Sequence, residues 1–145
     1  MKKSGILNKE LSGEIAGLGH TDSMLIADAG FPIHKETKRI DLALIKGVPG
    51  LIQVLKAILK ELVIEKLIIC ENVKDSSPEF LKELQLLLNH QVFQFVSWQD
   101  FVEYSRNVKC AVRTAEFTAY ANIIIIAASG IEKYKKGLDI DIKDF

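Results

Sequence analysis

Short apolar runs alternate along this chain with longer segments in which apolar residues recur at helical intervals, and nothing else in the sequence constrains the fold as much. Ser23 to Ala27, Arg39 to Ile45, Lys66 to Cys70, Val92 to Val96, Cys110 to Thr114 and Tyr120 to Ala128 read as strands. Helical segments lie between them. Leu11, Ile15 and Leu18 follow Asn8 as a start and precede Gly19 as a stop. After Gly47 and Pro49, the residues from Leu51 to Leu62 cover a wide apolar helical face. Ser77-Pro78-Glu79 opens a helix carrying Phe80, Leu81, Leu84, Leu87 and Leu88, with serine at the cap and proline in the first turn. Ser97 caps another, from Trp98 to about Arg106. Several strands are unbroken apolar runs, as expected where both faces of a sheet are covered. The pattern predicts an α/β chain in three layers, with a mostly parallel sheet and helices on both faces.

The 145 residues suit a single domain that buries roughly two-thirds of its extended-chain surface. Hydrophobic residues make up 48%, and 19 basic side chains balance 19 acidic ones. That balance excludes a disordered chain and argues against a nucleic-acid or anionic-membrane partner, while permitting self-association. Cys70 and Cys110 form no spaced framework, Met1-Lys2-Lys3-Ser4 is not followed by a signal-like apolar segment, and the run Ile123 to Ser129 is too short to span a bilayer. A cytoplasmic protein is expected. The tail from Ile131 to Phe145 differs from the body: Leu138-Asp139-Ile140-Asp141-Ile142 alternates strictly, which suits an edge strand, a pairing with a neighbouring subunit, or a loose end.

In an α/β sheet, ligands bind beyond the carboxyl ends of the strands, where Asp28 and Glu71 fall. His20 stands just before the strand that ends in Asp28. An imidazole with a carboxylate to orient it is the minimum apparatus for proton transfer. Spacing alone favours a plainer account, in which His20 caps the preceding helix and Asp28 completes an Asx turn with Gly30. Arg113, Glu116, Tyr120 and Asn122 form a polar cluster, and a tyrosine and an asparagine two apart on a strand would share a face suited to sugar hydroxyls. Ordinary strand-start hydrogen bonds explain them equally. Trp98, heading a helix, serves either as core or as a stacking floor for a sugar ring. His34 and His90 lack a partner at metal-ligand spacing, so no metal is expected. Neither a phosphate-binding glycine loop nor a nucleophile elbow is present, so no nucleotide cofactor or hydrolase chemistry is expected.

Taken together, Gly19-His20-Thr21-Asp22, Asp28-Ala29-Gly30 with Pro32-Ile33, Arg39-Ile40-Asp41-Leu42-Ala43-Leu44 with Gly47 and Pro49, Ala111-Val112-Arg113-Thr114, Glu116 and Tyr120-Ala121-Asn122-Ile123-Ile124 resemble the D-ribose pyranase and L-fucose mutarotase family. The Tyr-Ala-Asn form is closer to the ribose branch. The resemblance runs from about Lys2 to Ala128 and implies a Rossmann-like fold, rings of five subunits stacked as a decamer, and sites between subunits. It implies an enzyme that interconverts pyranose and furanose forms of ribose without cofactor or metal, with His20 as the acid/base residue. Asp28, Tyr120 and Asn122 would contact the sugar, as would the backbone around Ala121. Three features depart from the family pattern. Trp98 occupies the usual place of a substrate-binding histidine, Ala115 and Ala119 replace a glycine and a proline, and the tail from about 131 extends beyond the usual end. A paralogue acting on another monosaccharide such as fucose, and a non-catalytic sugar-binding protein, therefore remain alternatives.

Overall fold

The computed structural model describes residues 1–135. In chain order its elements are α1 (Lys9–Gly17), β1 (Ser23–Ala27), β2 (Arg39–Asp41), α2 (Leu51–Leu59), β3 (Ile64–Cys70), α3 (Val73–Ser76), α4 (Pro78–Leu87), β4 (Val92–Val96), α5 (Trp98–Ser105), β5 (Cys110–Arg113), β6 (Ile123–Ala127) and α6 (Glu132–Lys135). The strands form one six-stranded sheet in the order β2-β5-β1-β6-β3-β4. Pairings β2–β5, β5–β1 and β3–β4 are parallel, whereas β6 runs antiparallel to both neighbours, β1 and β3. Five strands therefore point one way and β6 alone points back.

Alternate residues of β1, β3, β5 and β6 feed two cores, one on each face. Met24, Ile26, Leu67, Ile69, Ile123 and Ile125 meet α1, α2 and α4 through Leu11, Leu55, Ile58 and Leu84. On the opposite face Leu25, Ile68, Ile124 and Ile126 pack with Phe31 and with Phe101 of α5. Both faces are dry, which is why the strands read as continuous apolar runs. Asn8 caps α1 by accepting from the Leu11 amide at 2.9 Å, and Ser97 caps α5 by accepting from the Asp100 amide at 3.1 Å.

The elements differ from the sequence expectation in several places. The strand expected over Arg39 to Ile45 stops at Asp41, because its partner β5 stops at Arg113 and the Asp41 carboxylate turns the chain by accepting from the Ala43 amide at 3.1 Å. The final strand begins at Ile123, not Tyr120, since Tyr120 has a φ of 56° and cannot belong to an extended strand. The short helix α3 was not expected. Ser77 precedes α4 but makes no side-chain cap; its hydroxyl donates instead to the Ala119 carbonyl at 2.7 Å. The alternating segment Leu138 to Ile142 lies outside the described residues. Among the described residues no helix is long and apolar enough to cross a membrane, and both cysteines are free and buried.

Phe101 is fully buried and anchors α5 to the second core. Its replacement by alanine should lower unfolding free energy by about 3–5 kcal/mol, read from urea denaturation of the parent and variant.

Candidate functional site

The direction of β6 decides which residues meet. Ile123 is level with Ile26 on one side and with Ile69 on the other, so the residues just before it emerge at the carboxyl ends of β1 and β3. Asn122 thereby reaches Asp28. Its Oδ1 accepts from the Asp28 amide at 2.8 Å, and its Nδ2 donates to Asp28 Oδ2 at 2.7 Å. The second oxygen of Asp28 accepts from the Gly30 amide at 2.9 Å, which is the expected Asx turn. Asn122 is 1% exposed and satisfied at both ends of its amide, while Asp28 is half-buried. Arg113 braces the same turn: its Nε donates to the Ala29 carbonyl at 3.0 Å and Nη1 reaches both Asp41 oxygens at 3.0 and 3.2 Å.

Tyr120 and Asn122 do not share a strand face, as the sequence suggested. Tyr120 sits in the left-handed region, a conformation that costs a non-glycine residue roughly 1–3 kcal/mol and needs support from its surroundings. The Asn122 amide donates to the Tyr120 carbonyl at 2.8 Å, and the Ala121 amide to the Thr118 carbonyl at 3.2 Å. The Ala121 side chain is buried in the core, so this residue offers the site only backbone. Trp98 is half-buried, its ring edge-on to Tyr120 at 5.4 Å and to Phe31 at 5.8 Å, and stacked with Phe101 at 6.3 Å. It is thus part of the core and also a wall beside Tyr120. Trp98, Tyr120, Ala121, Asn122 and Asp28 all lie at one edge of the sheet.

His20 does not. It belongs to a tight turn in which the Gly19 amide donates to Asp22 Oδ2 at 2.9 Å and the Asp22 amide to the Gly19 carbonyl at 3.1 Å. The Thr21 amide donates to the carbonyl of Ala127, the last residue of β6, at 2.9 Å. That fixes His20 at the amino edge of the sheet, separated from Asp28 by the length of β1, roughly 16 Å at the usual rise per residue. Its carboxylate partner is Glu65, with Nε2 3.2 Å from Oε2, and its side chain is 52% exposed. The plainer reading of His20 as a cap of the preceding helix does not hold, because α1 ends at Gly17 with the Leu18 amide closing onto the Ile15 carbonyl. Glu65 escaped the sequence reading because it lies in another strand, paired with His20 only through the fold.

Glu116, grouped in the sequence with Tyr120, accepts hydrogen bonds at both oxygens. Oε1 takes the Phe117 and Thr118 amides at 3.0 Å and the Thr118 hydroxyl at 2.7 Å; Oε2 takes the Leu51 amide at the start of α2 at 3.3 Å. Burial pushes its carboxyl up, but the Thr118 hydroxyl and the three amides together hold it below its ordinary range. Beside it, Asp28, Gly30, Arg113, Phe117 and Ala119 line a cavity of about 500 Å³ that also touches the exposed Leu44 and Ile45. Among the described residues, no group of three or more His, Cys, Asp or Glu is placed to hold a metal ion.

This geometry can be set against known proteins. The sequence model of the RbsD / FucU transport protein family matches residues 1–129. The chain belongs to this family. Among relatives of the RbsD / FucU chain, D-ribose pyranase of Geobacillus thermodenitrificans (strain NG80-2) is 46% identical over 125 residues, covering 86% of this chain and 95% of that one. D-ribose pyranase of Geobacillus kaustophilus (strain HTA426) is 42% identical over 145 residues, 100% of both chains, so the segment after Gly130 is shared with that relative. The structure of Bacillus subtilis RbsD complexed with D-ribose superposes with a TM-score of 0.87 at 38% identity, over 90% of this chain and 100% of that one.

Asn122 and Asp28 hold each other through a reciprocal pair of hydrogen bonds. Asn122→Ala leaves a backbone donor and a carboxylate oxygen without their partner. It should lower unfolding free energy by about 1–3 kcal/mol in urea denaturation.

Proposed function

We propose that this protein is an isomerase that interconverts the β-pyranose and β-furanose forms of D-ribose, at sites completed by a second copy of the chain. The observation that carries the reading is the division of its polar groups. His20 with Glu65 stands at one edge of the sheet, Asp28 with Asn122, Tyr120 and Trp98 at the other, in a chain similar end to end to a D-ribose pyranase. A sugar held at the carboxyl edge of one subunit meets His20 of its neighbour. The exposed apolar side chains of Leu44, Ile45, Val48 and Phe117, at 78%, 66%, 47% and 64%, support self-association at the carboxyl edge. The assembly is two stacked rings of five, in the cytoplasm. Each subunit is one domain over residues 1–145, with an appended segment from about 131.

The chemistry needs two proton transfers in each direction. Ring opening removes a proton from the anomeric hydroxyl and delivers one to the ring oxygen as the bond between that oxygen and the anomeric carbon breaks. The aldehyde then recloses on a different hydroxyl with the transfers reversed. One imidazole serves both steps, with Glu65 at Nε2 fixing the ring plane and the other nitrogen facing the sugar. Asp28 accepts from sugar hydroxyls, the Tyr120 hydroxyl donates or accepts, and Asn122 keeps Asp28 in place. Trp98 presents an apolar edge and a single N–H donor, where a histidine would add an acceptor. Because the uncatalysed exchange already runs in water, general acid–base assistance of about 10²–10⁴-fold suffices without a cofactor.

Saturation transfer between the pyranose and furanose NMR signals of ribose tests this, with L-fucose as a second substrate. The protein should accelerate ribose exchange, and His20→Ala should reduce that acceleration about 10²-fold or more. Ribose binding without acceleration would establish a sugar-binding protein instead.

A further inference from the structure

The loop from Glu116 to Asn122 carries Tyr120 in a strained conformation, yet it has no regular secondary structure to hold it. Two side chains from outside the sugar-facing set tie it down. Near its start, the Glu116 carboxylate gathers the Phe117 and Thr118 amides, the Thr118 hydroxyl and the first amide of α2. Next to Tyr120, the buried Ser77 hydroxyl donates to the Ala119 carbonyl at 2.7 Å. A serine directly before a helix ordinarily accepts from that helix's own amides. Here it leaves them and reaches 42 residues along the chain. The Ala29 amide also donates to the Glu116 carbonyl at 2.9 Å, so the same loop is tied to the Asp28 turn.

We propose that Glu116 and Ser77 are positioning residues that clamp the 116–122 loop between the starts of α2 and α4, and so set the pose of Tyr120 toward the sugar and of Asn122 against Asp28. Neither needs to touch substrate. Glu116 holds the chain at Phe117 and Thr118, just before Ala119, and Ser77 holds the Ala119 carbonyl, so the peptide that leads into Tyr120 is fixed at the level of the backbone. Glu116→Gln keeps the size of the side chain, but turning one acceptor into an NH₂ group sets a donor against a donor, either at the Leu51 amide or at the Thr118 group. Ser77→Ala removes one hydrogen bond and little volume.

This inference rests on the ribose reading for its kinetic readout only. For both variants, ribose KM should rise about three- to tenfold, the loss of roughly one hydrogen bond's worth of binding, while kcat stays within about twofold. A variant that merely folds less well loses active protein, which lowers kcat at unchanged KM. Hydrogen exchange followed by NMR gives a readout that needs no substrate. The Ala121 and Asn122 amides should exchange about tenfold faster in either variant, while Ile124 and Ile125 in β6 keep the parent's protection. If Glu116→Gln does not fold, Ser77→Ala decides alone. Parent-like exchange at Ala121 and Asn122 overturns the clamp whatever the substrate, as does a fall in kcat with KM unmoved. A parent protein inactive on ribose overturns the functional reading and leaves the amide measurement to decide the clamp.

Discussion

One strand running against the other five organises this molecule. Because β6 enters the middle of the sheet from the carboxyl side, the residues ahead of it arrive beside the ends of β1 and β3, and the residues behind it leave at the amino side. Asn122 therefore meets Asp28, and Ala127 meets Thr21 next to His20. Had β6 run parallel, Tyr120 and Asn122 would lie at the amino edge and Asp28 would have lost its partner. The strand is apolar on both sides and buried throughout, so its direction is locked by the two cores as well as by two ladders of hydrogen bonds.

The same geometry separates the groups that a proton-transfer site needs to combine. A folded chain of this size can hold a histidine against a carboxylate, and does so with Glu65, but Asp28, Asn122, Tyr120 and Trp98 lie a strand's length away. On the proposed function, this division makes each site depend on a second copy of the chain. On the proposed function, the net charge of zero suits a surface that packs against its own copies and receives a neutral sugar.

Much of this was legible in the sequence. The apolar runs gave β1, β3 and β5 to the residue at one or both ends, because burial on two faces leaves a signal that does not depend on the neighbours. Asp28 with Gly30 was legible as an Asx turn, a local interaction. The direction of β6 was not, because Ile123-Ile124-Ile125-Ile126 reads identically either way. Nor was the left-handed Tyr120, a residue whose own preference is extended; tertiary ties from Glu116 and Ser77 override it. The partnership of His20 with Glu65 joins residues 45 apart and has no local signature. The family resemblance supplied the roles of His20, Tyr120 and Asn122, which spacing alone assigned to ordinary structure.

Complementation between two disabled chains tests the central claim, that each site takes His20 from one subunit and Asp28 from another. The variants His20→Ala and Asp28→Ala would be co-expressed, purified as mixed assemblies and assayed for ribose exchange. A shared site predicts recovery to about a quarter of the parent activity, since random pairing restores an intact His20–Asp28 combination at that fraction of interfaces. Activity no higher than that of either variant alone would contradict the account.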